Sequence, residues 1–141
     1  VSGTVTPEEL GMRFLVLSHR VRRVVDDRMT ERGPSLARTK LLRVLAEQGR
    51  LRQSALAQRL DLAARTVTET VDALERDGLV ARTPDPADRR AKLVSLTDEG
   101  SAALDAAHGT GEQVLREIFG ALGPEQRETL AGLLGLIDRA T

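Results

Sequence analysis

Leu10, Phe14, Leu17, Val21, Val24 or Val25, and Met29 recur at steps of three and four, the spacing of one helix face. Pro7-Glu8-Glu9 ahead of them puts a proline in the first turn and acids near the positive end of the helix dipole. A helix is therefore predicted to run from there to Arg32-Gly33-Pro34, which stops it. Ser35 can cap a second helix that carries Leu41, Leu42 and Leu45 inward and ends at Gln48-Gly49. A short extended piece, Arg50-Leu51-Arg52, comes next. Two short helices follow: Ser54 to Leu60, with Leu56, Ala57 and Leu60 on one side, and about Ala64 to Asp77, with Val67, Val71 and Leu74 on one side. Gly78 ends the second. The connector Asp61-Leu62-Ala63 has the length of the turn in a helix-turn-helix.

The pattern then shortens. LVART (79–83) and AKLVSL (91–96) are predicted as strands, and PDPADRR (84–90) as the loop of their hairpin. Thr97 is an N-cap with Asp98 and Glu99 behind it, opening a helix to about Leu122; a last helix runs from Pro124 to about Arg139. Within the long helix, Gly109-Thr110-Gly111 predicts a bend or a close helix contact, since each glycine costs about 1 kcal/mol against alanine. The expected fold is mainly α with a small β-hairpin wing (α+β), a winged helix-turn-helix flanked by terminal helices. The expected divisions are an N-terminal helix unit (1–33), a winged helix-turn-helix (34–97) and C-terminal helices (98–141).

Composition narrows the chemistry. The 141 residues hold no cysteine, which excludes disulfides and thiolate metal sites. His19 and His108 lack ligand-spaced partners, and no nucleophile–base pair or phosphate-binding loop appears, so neither a cofactor nor an enzyme is expected. No apolar run reaches the roughly 18 residues of a membrane span. VSGTVTPEELG lacks a basic segment followed by an apolar one, so no membrane partner and a cytoplasmic location are expected. Net charge is zero, but residues 1–96 hold 18 basic and 13 acidic side chains against 3 and 8 in 97–141. That asymmetry suits a protein that turns one face to a polyanion.

Asp85-Pro86-x-Asp88-Arg89-Arg90-x-x-x-Val94-x-Leu96-Thr97-x-x-Gly100 resembles the wing signature of the MarR transcriptional regulators. Leu74-Glu75-x-x-Gly78-Leu79-Val80 resembles the end of their recognition helix. The likeness in element order and length spans nearly the whole chain, and its specificity sits in residues 66–100. It implies a bacterial DNA-binding regulator, nucleoid-associated when bound, with Arg90 inserted in a groove and Arg89 and Lys92 nearer phosphates. Adjacent arginines repel unless an anion receives them, and a minor groove about 6 Å wide admits a thin arginine-tipped wing. Pro84 and Pro86 stiffen the loop, and Asp88 can pair with Arg89 or Arg90 and aim it. A solvated charged turn is the bland alternative.

In the reading helix ARTVTETVDALERDG, Arg65, Thr66, Thr68, Glu69 and Asp72 are left for the outside. Arg65 can read guanine, Glu69 can accept from cytosine, and threonine methyls can touch thymine; alternatively Arg65 and Glu69 form a surface i,i+4 pair. Gln53 and Ser54 open the preceding helix, whose amides can hold a phosphate. Arg52 stands where the resembled family often has a capping threonine, Arg65 where serine is frequent, and Glu69 where a basic residue is common. These departures bear on the target sequence, not the docking mode.

A two-fold dimer would present two reading helices to a pseudo-palindromic operator in double-stranded DNA. Leu10, Phe14, Leu17 and Val21 at one end, with Val114, Leu115, Ile118, Leu130, Leu133, Leu134 and Ile137 at the other, exceed what a small monomer buries. The resemblance implies that these helices interlock in a homodimer. It also implies a small-molecule effector, of unknown identity, between the dimer helices and the reading domain. With only Phe14 and Phe119 as aromatics, an aromatic-lined pocket is not expected; His19 beside Arg20, Arg22 and Arg23 can serve an anion or form a solvated face. The function expected is sequence-specific regulation, as a repressor. The alternatives are a ligand-independent architectural DNA binder or a winged-helix protein-interaction module.

Overall fold

The computed structural model describes residues 3–141; positions 1 and 2 of the expected N-terminal unit lie outside the described residues. Six helices and a small sheet occur in the order α1 (Pro7–Arg32), α2 (Leu36–Gln48), β1 (Leu51–Arg52), α3 (Gln53–Leu60), α4 (Ala64–Arg76), β2 (Val80–Asp85), β3 (Asp88–Leu96), α5 (Asp98–Phe119) and α6 (Pro124–Ala140). Thr6 and Glu9 close a reciprocal capping box on α1, a cap that the reading of Pro7-Glu8-Glu9 as a helix start did not include. Ser35 Oγ accepts the Arg38 N–H at 3.2 Å, while Asp26 from α1 accepts the Leu36 N–H at 2.8 Å. The α2 start is thus held by its own cap and by the neighbouring helix.

The sheet is antiparallel in the order β1-β3-β2, with Val94 of the central strand opposite Leu51 on one side and Arg82 on the other. Leu41, Leu42, Leu45, Leu56, Val67, Val71, Leu74, Val80 and Val94 form one core, closing α2, α3 and α4 over the sheet. The apolar faces read from periodicity in α2, α3 and α4 all point into it. A second core joins α1 to α5 through Val25, Met29, Ala107 and Val114. At the glycine pair α5 runs unbroken, and close contact replaces a bend: Thr110 is buried and a Cβ at Gly111 would lie 3.9 Å from Met29 Sδ.

Three expectations need correction. The hairpin loop is not 84–90: the strands run on to Asp85 and from Asp88, leaving Pro86-Ala87 as the turn. Pairing jumps from Pro84↔Lys92 to Asp85↔Asp88, so Arg89, Arg90 and Ala91 form an irregular outswing of β3 rather than a turn tip. Val114, expected on an intersubunit face, is only 1% exposed against α1 within the chain, and Ile118 packs beside it. Its place on α5 falls where that helix crosses α1, which periodicity alone could not assign. The long helix also stops at Phe119 rather than near Leu122. Among the described residues no helix is long and apolar enough to cross a membrane.

Candidate nucleic-acid interface

Asp61 ends α3 in the left-handed region (φ 52°), and its neighbour Leu62 donates its N–H to Ala57 O at 3.0 Å. That reversal sends the chain through Ala63 into α4. Helix α4 buries Val67, Val71 and Leu74 completely, which fixes its opposite face outward. Arg65, Thr66, Thr68, Glu69 and Asp72 are exposed on it, as is Ser54 at the start of α3; Gln53 is half-buried. Among the described residues no side chain caps the first amides of α3 or α4, which leaves those N–H groups open to an incoming anion.

Much of this face is already tied together. Arg65 Nε donates to Glu69 Oε1 at 3.2 Å, the surface pair that was the alternative to base reading. Both ends are well exposed, so the pair contributes little to stability and can open for another partner. Thr68 Oγ1 donates to Ala64 O and accepts from Gln53 Nε2 at 3.2 Å, which leaves its methyl as the outward group. Asp72 is not free: with Glu75 it takes the Arg82 guanidinium, reached from β2. Arg82 also donates to Gln53 Oε1 at 3.1 Å, joining α3, α4 and the wing. Sequence reasoning missed Arg82, because its partners stand seven and more residues away.

The wing carries the least constrained cations. Arg90 is 93% exposed, and its Nε and backbone N–H both donate to Asp88 Oδ1, at 3.2 and 3.1 Å. Asp88 therefore aims Arg90 rather than Arg89. Arg89 and Lys92 are exposed, and neither has a carboxylate within ion-pair distance among the described residues. Asp85 faces the other way: it is 8% exposed, accepts the Ala87 N–H at 2.9 Å and takes Arg52 Nε at 2.6 Å. The Ala87 amide first, and then Arg52, hold its carboxyl below the usual range; Arg82 does the same for Glu75. Five of the seven acids in residues 50–96 (Glu69, Asp72, Glu75, Asp85 and Asp88) are matched by arginines. Little uncompensated negative charge then faces a polyanion. No group of His, Asp or Glu suited to a metal ion occurs among the described residues.

The MarR family profile matches residues 35–92, the segment holding both short helices and most of the hairpin. The transcriptional regulator HosA of Escherichia coli O111:H- is 35% identical over 94 residues, covering 67% of this chain and 70% of that one. An uncharacterised HTH-type transcriptional regulator of Bacillus subtilis (strain 168), YdgJ, is 30% identical over 102 residues, 72% of this chain. That match takes in 62% of YdgJ, so the chain spans less than two thirds of that relative. Among solved structures, Sco3205 from Streptomyces coelicolor, a MarR family transcriptional regulator in complex with DNA, superposes with a TM-score of 0.77 at 25% identity. The superposition covers 99% of this chain and 91% of that one.

Proposed function

This chain belongs to the MarR family, and from that premise we propose that it is a homodimeric repressor that binds a pseudo-palindromic operator in double-stranded DNA. The observation that carries the reading is Arg90, 93% exposed and aimed by Asp88, beside an α4 whose apolar face is wholly buried. Residues 34–97 read the DNA. Helix α4 enters the major groove with Arg65, Thr66, Thr68 and Glu69, Gln53 and Ser54 approach a phosphate, and the wing puts Arg90 into the minor groove with Arg89 and Lys92 at its rim. Residues 1–33 and 98–141 pair the two subunits. Supporting this, Leu10, Phe14, Leu17, Leu133, Leu134 and Ile137 are 40–55% exposed, and α6 buries no residue within the chain. Apolar surface on that scale marks an association face.

Release by a small effector has support in a cavity of about 420 Å³ between α1 and α2, lined by His19, Arg22, Arg23, Asp26 and Lys40 among others. Its cationic rim suits an anion, and ligand bound there would press on the link between the paired helices and the reading domain. The direct test of the DNA reading is selection of bound fragments from genomic DNA, then a gel shift on the recovered operator. Arg90→Ala should weaken operator binding about tenfold or more at fixed salt while the dimer stays intact. Unchanged affinity would remove Arg90 from the interface; equal binding to unrelated DNA would favour an architectural role.

A further inference from the structure

The hairpin has a weak mechanical attachment for an element that must present a cation at a fixed place. Among the described residues its only sheet neighbour is the two-residue β1, paired through Leu51↔Val94 and Arg52↔Leu93 at the hairpin's base. Beyond that register β2 and β3 pair only with each other, and a two-stranded ribbon on its own is marginal in water. Thr83, Pro84, Pro86 and Ala87 are all exposed, yet Asp85 among them is buried. A carboxylate is covered at such a site only when something receives it. Here Oδ1 closes the turn on Ala87 N–H and Oδ2 takes Arg52, whose backbone is the N-cap of α3. Nearer the base, Arg82 bridges from β2 to Asp72 and Glu75 on α4 and to Gln53 on α3, with its side chain only 20% exposed.

We propose that Arg52 and Arg82 are positioning residues that fix the angle of the wing to the reading helix, Arg52 through Asp85 and Arg82 through Asp72 and Glu75. This rests on the DNA-binding reading above. The guanidinium of Arg82 gives three of its five N–H donors to Gln53, Asp72 and Glu75 and is only 20% exposed, which leaves little of it for a phosphate. Arg52 spends its Nε on the one buried carboxylate of the hairpin. In this role both arginines act on DNA through where they hold Arg89, Arg90 and Lys92. Holding the wing in its docked pose before DNA arrives lowers the ordering cost on binding.

Charge-removing variants separate this from simple electrostatics. Asp85→Asn deletes a negative charge close to the DNA, which by Coulomb attraction alone raises affinity. Asparagine can still accept the Ala87 N–H, so the turn and the fold are expected to survive, as circular dichroism would register. The positioning role requires the opposite sign: Asp85→Asn and Arg52→Ala each weaken operator binding about five- to tenfold by fluorescence anisotropy. In an Arg90→Ala background the same changes should alter affinity less than about twofold, because the group that reaches deepest of those they position is gone and only the rim contacts of Arg89 and Lys92 remain. In the free protein, nitrogen-15 relaxation should show residues 87–92 gaining nanosecond mobility in both variants. Higher or unchanged affinity in Asp85→Asn, losses additive with Arg90→Ala, or an unaltered wing in the relaxation data each overturn the proposal. If the parent protein binds no operator, the DNA reading falls, and the relaxation measurement alone still decides whether Arg52 orders the wing.

Discussion

Thr97 and Gly100 serve two elements at once. Thr97 Oγ1 accepts the Gly100 N–H at 2.9 Å, capping α5, and donates to Gly78 O at 2.7 Å, tying that cap to the end of α4. The approach is so close that a Cβ at Gly100 would lie 2.0 Å from Leu79 O, a backbone atom that cannot swing aside. Gly100→Ala is therefore expected to cost about 1–3 kcal/mol. A thermal melt should show the midpoint several degrees lower, and a midpoint within one degree of the parent would mean the contact relaxes freely. The Leu96-Thr97-x-x-Gly100 pattern was legible in the sequence as a family mark. Its reason was not, because the oxygen that forbids a larger residue lies about twenty positions upstream.

At the scale of elements, the wing is the part most exposed to acid. Asp85 and Glu75 both sit below the ordinary carboxylate range, through the Ala87 amide with Arg52 and through Arg82 respectively. Groups depressed in the folded state add stability that is complete above their unfolded values and is lost as pH falls through the folded ones. The wing's attachment should thus be intact at neutral pH and loosen below about pH 4. Amide exchange or relaxation at residues 87–92 should report it first, ahead of the α2–α4 core. In the Asp85→Asn, Glu75→Gln double variant the acid response of those residues should flatten; an identical pH profile would show that other carboxylates govern it. Helix spans were readable here to within a residue or three, whereas the hairpin's pairing was not. Pro84 and Pro86 argued for a loop, yet strand β2 passes through Pro84, where a missing N–H on a sheet edge costs no ladder bond.

For the whole molecule, the two cores bury α2–α4, the second half of α1 and one side of α5, and leave α6 and the first half of α1 uncovered. Leu134 and Ile137, one helical step apart on α6, are 40% and 43% exposed. Leu134→Asp with Ile137→Asp places two charges on that face without touching either core. Sedimentation should then find a monomer with a native helical spectrum, and operator affinity should collapse because two linked half-sites become one. A dimer that survives both charges would move the pairing face elsewhere. Binding by the parent should also fall steeply with added salt, as phosphate contacts give up their counterions.

Helix periods, caps, the two-residue alternation of the wing and the surplus of apolar residues at both ends were all present in the sequence, because each depends on neighbours within about one helical turn. The same local reading placed Val67, Val71 and Leu74 inward and left Arg65, Thr66, Thr68 and Glu69 outside. Only the tertiary structure decided which charges are available. Arg65 and Arg90 keep weak, exposed partners, while Arg82 and Arg52 are taken up by carboxylates as far as 33 positions away. It likewise put Val114 in the intrachain core while Leu133 and Leu134 stayed outside. An arginine in a sequence is a cation of unassigned purpose; the carboxylate the fold brings to it sets whether it reaches for a partner molecule or holds the protein's own parts in place.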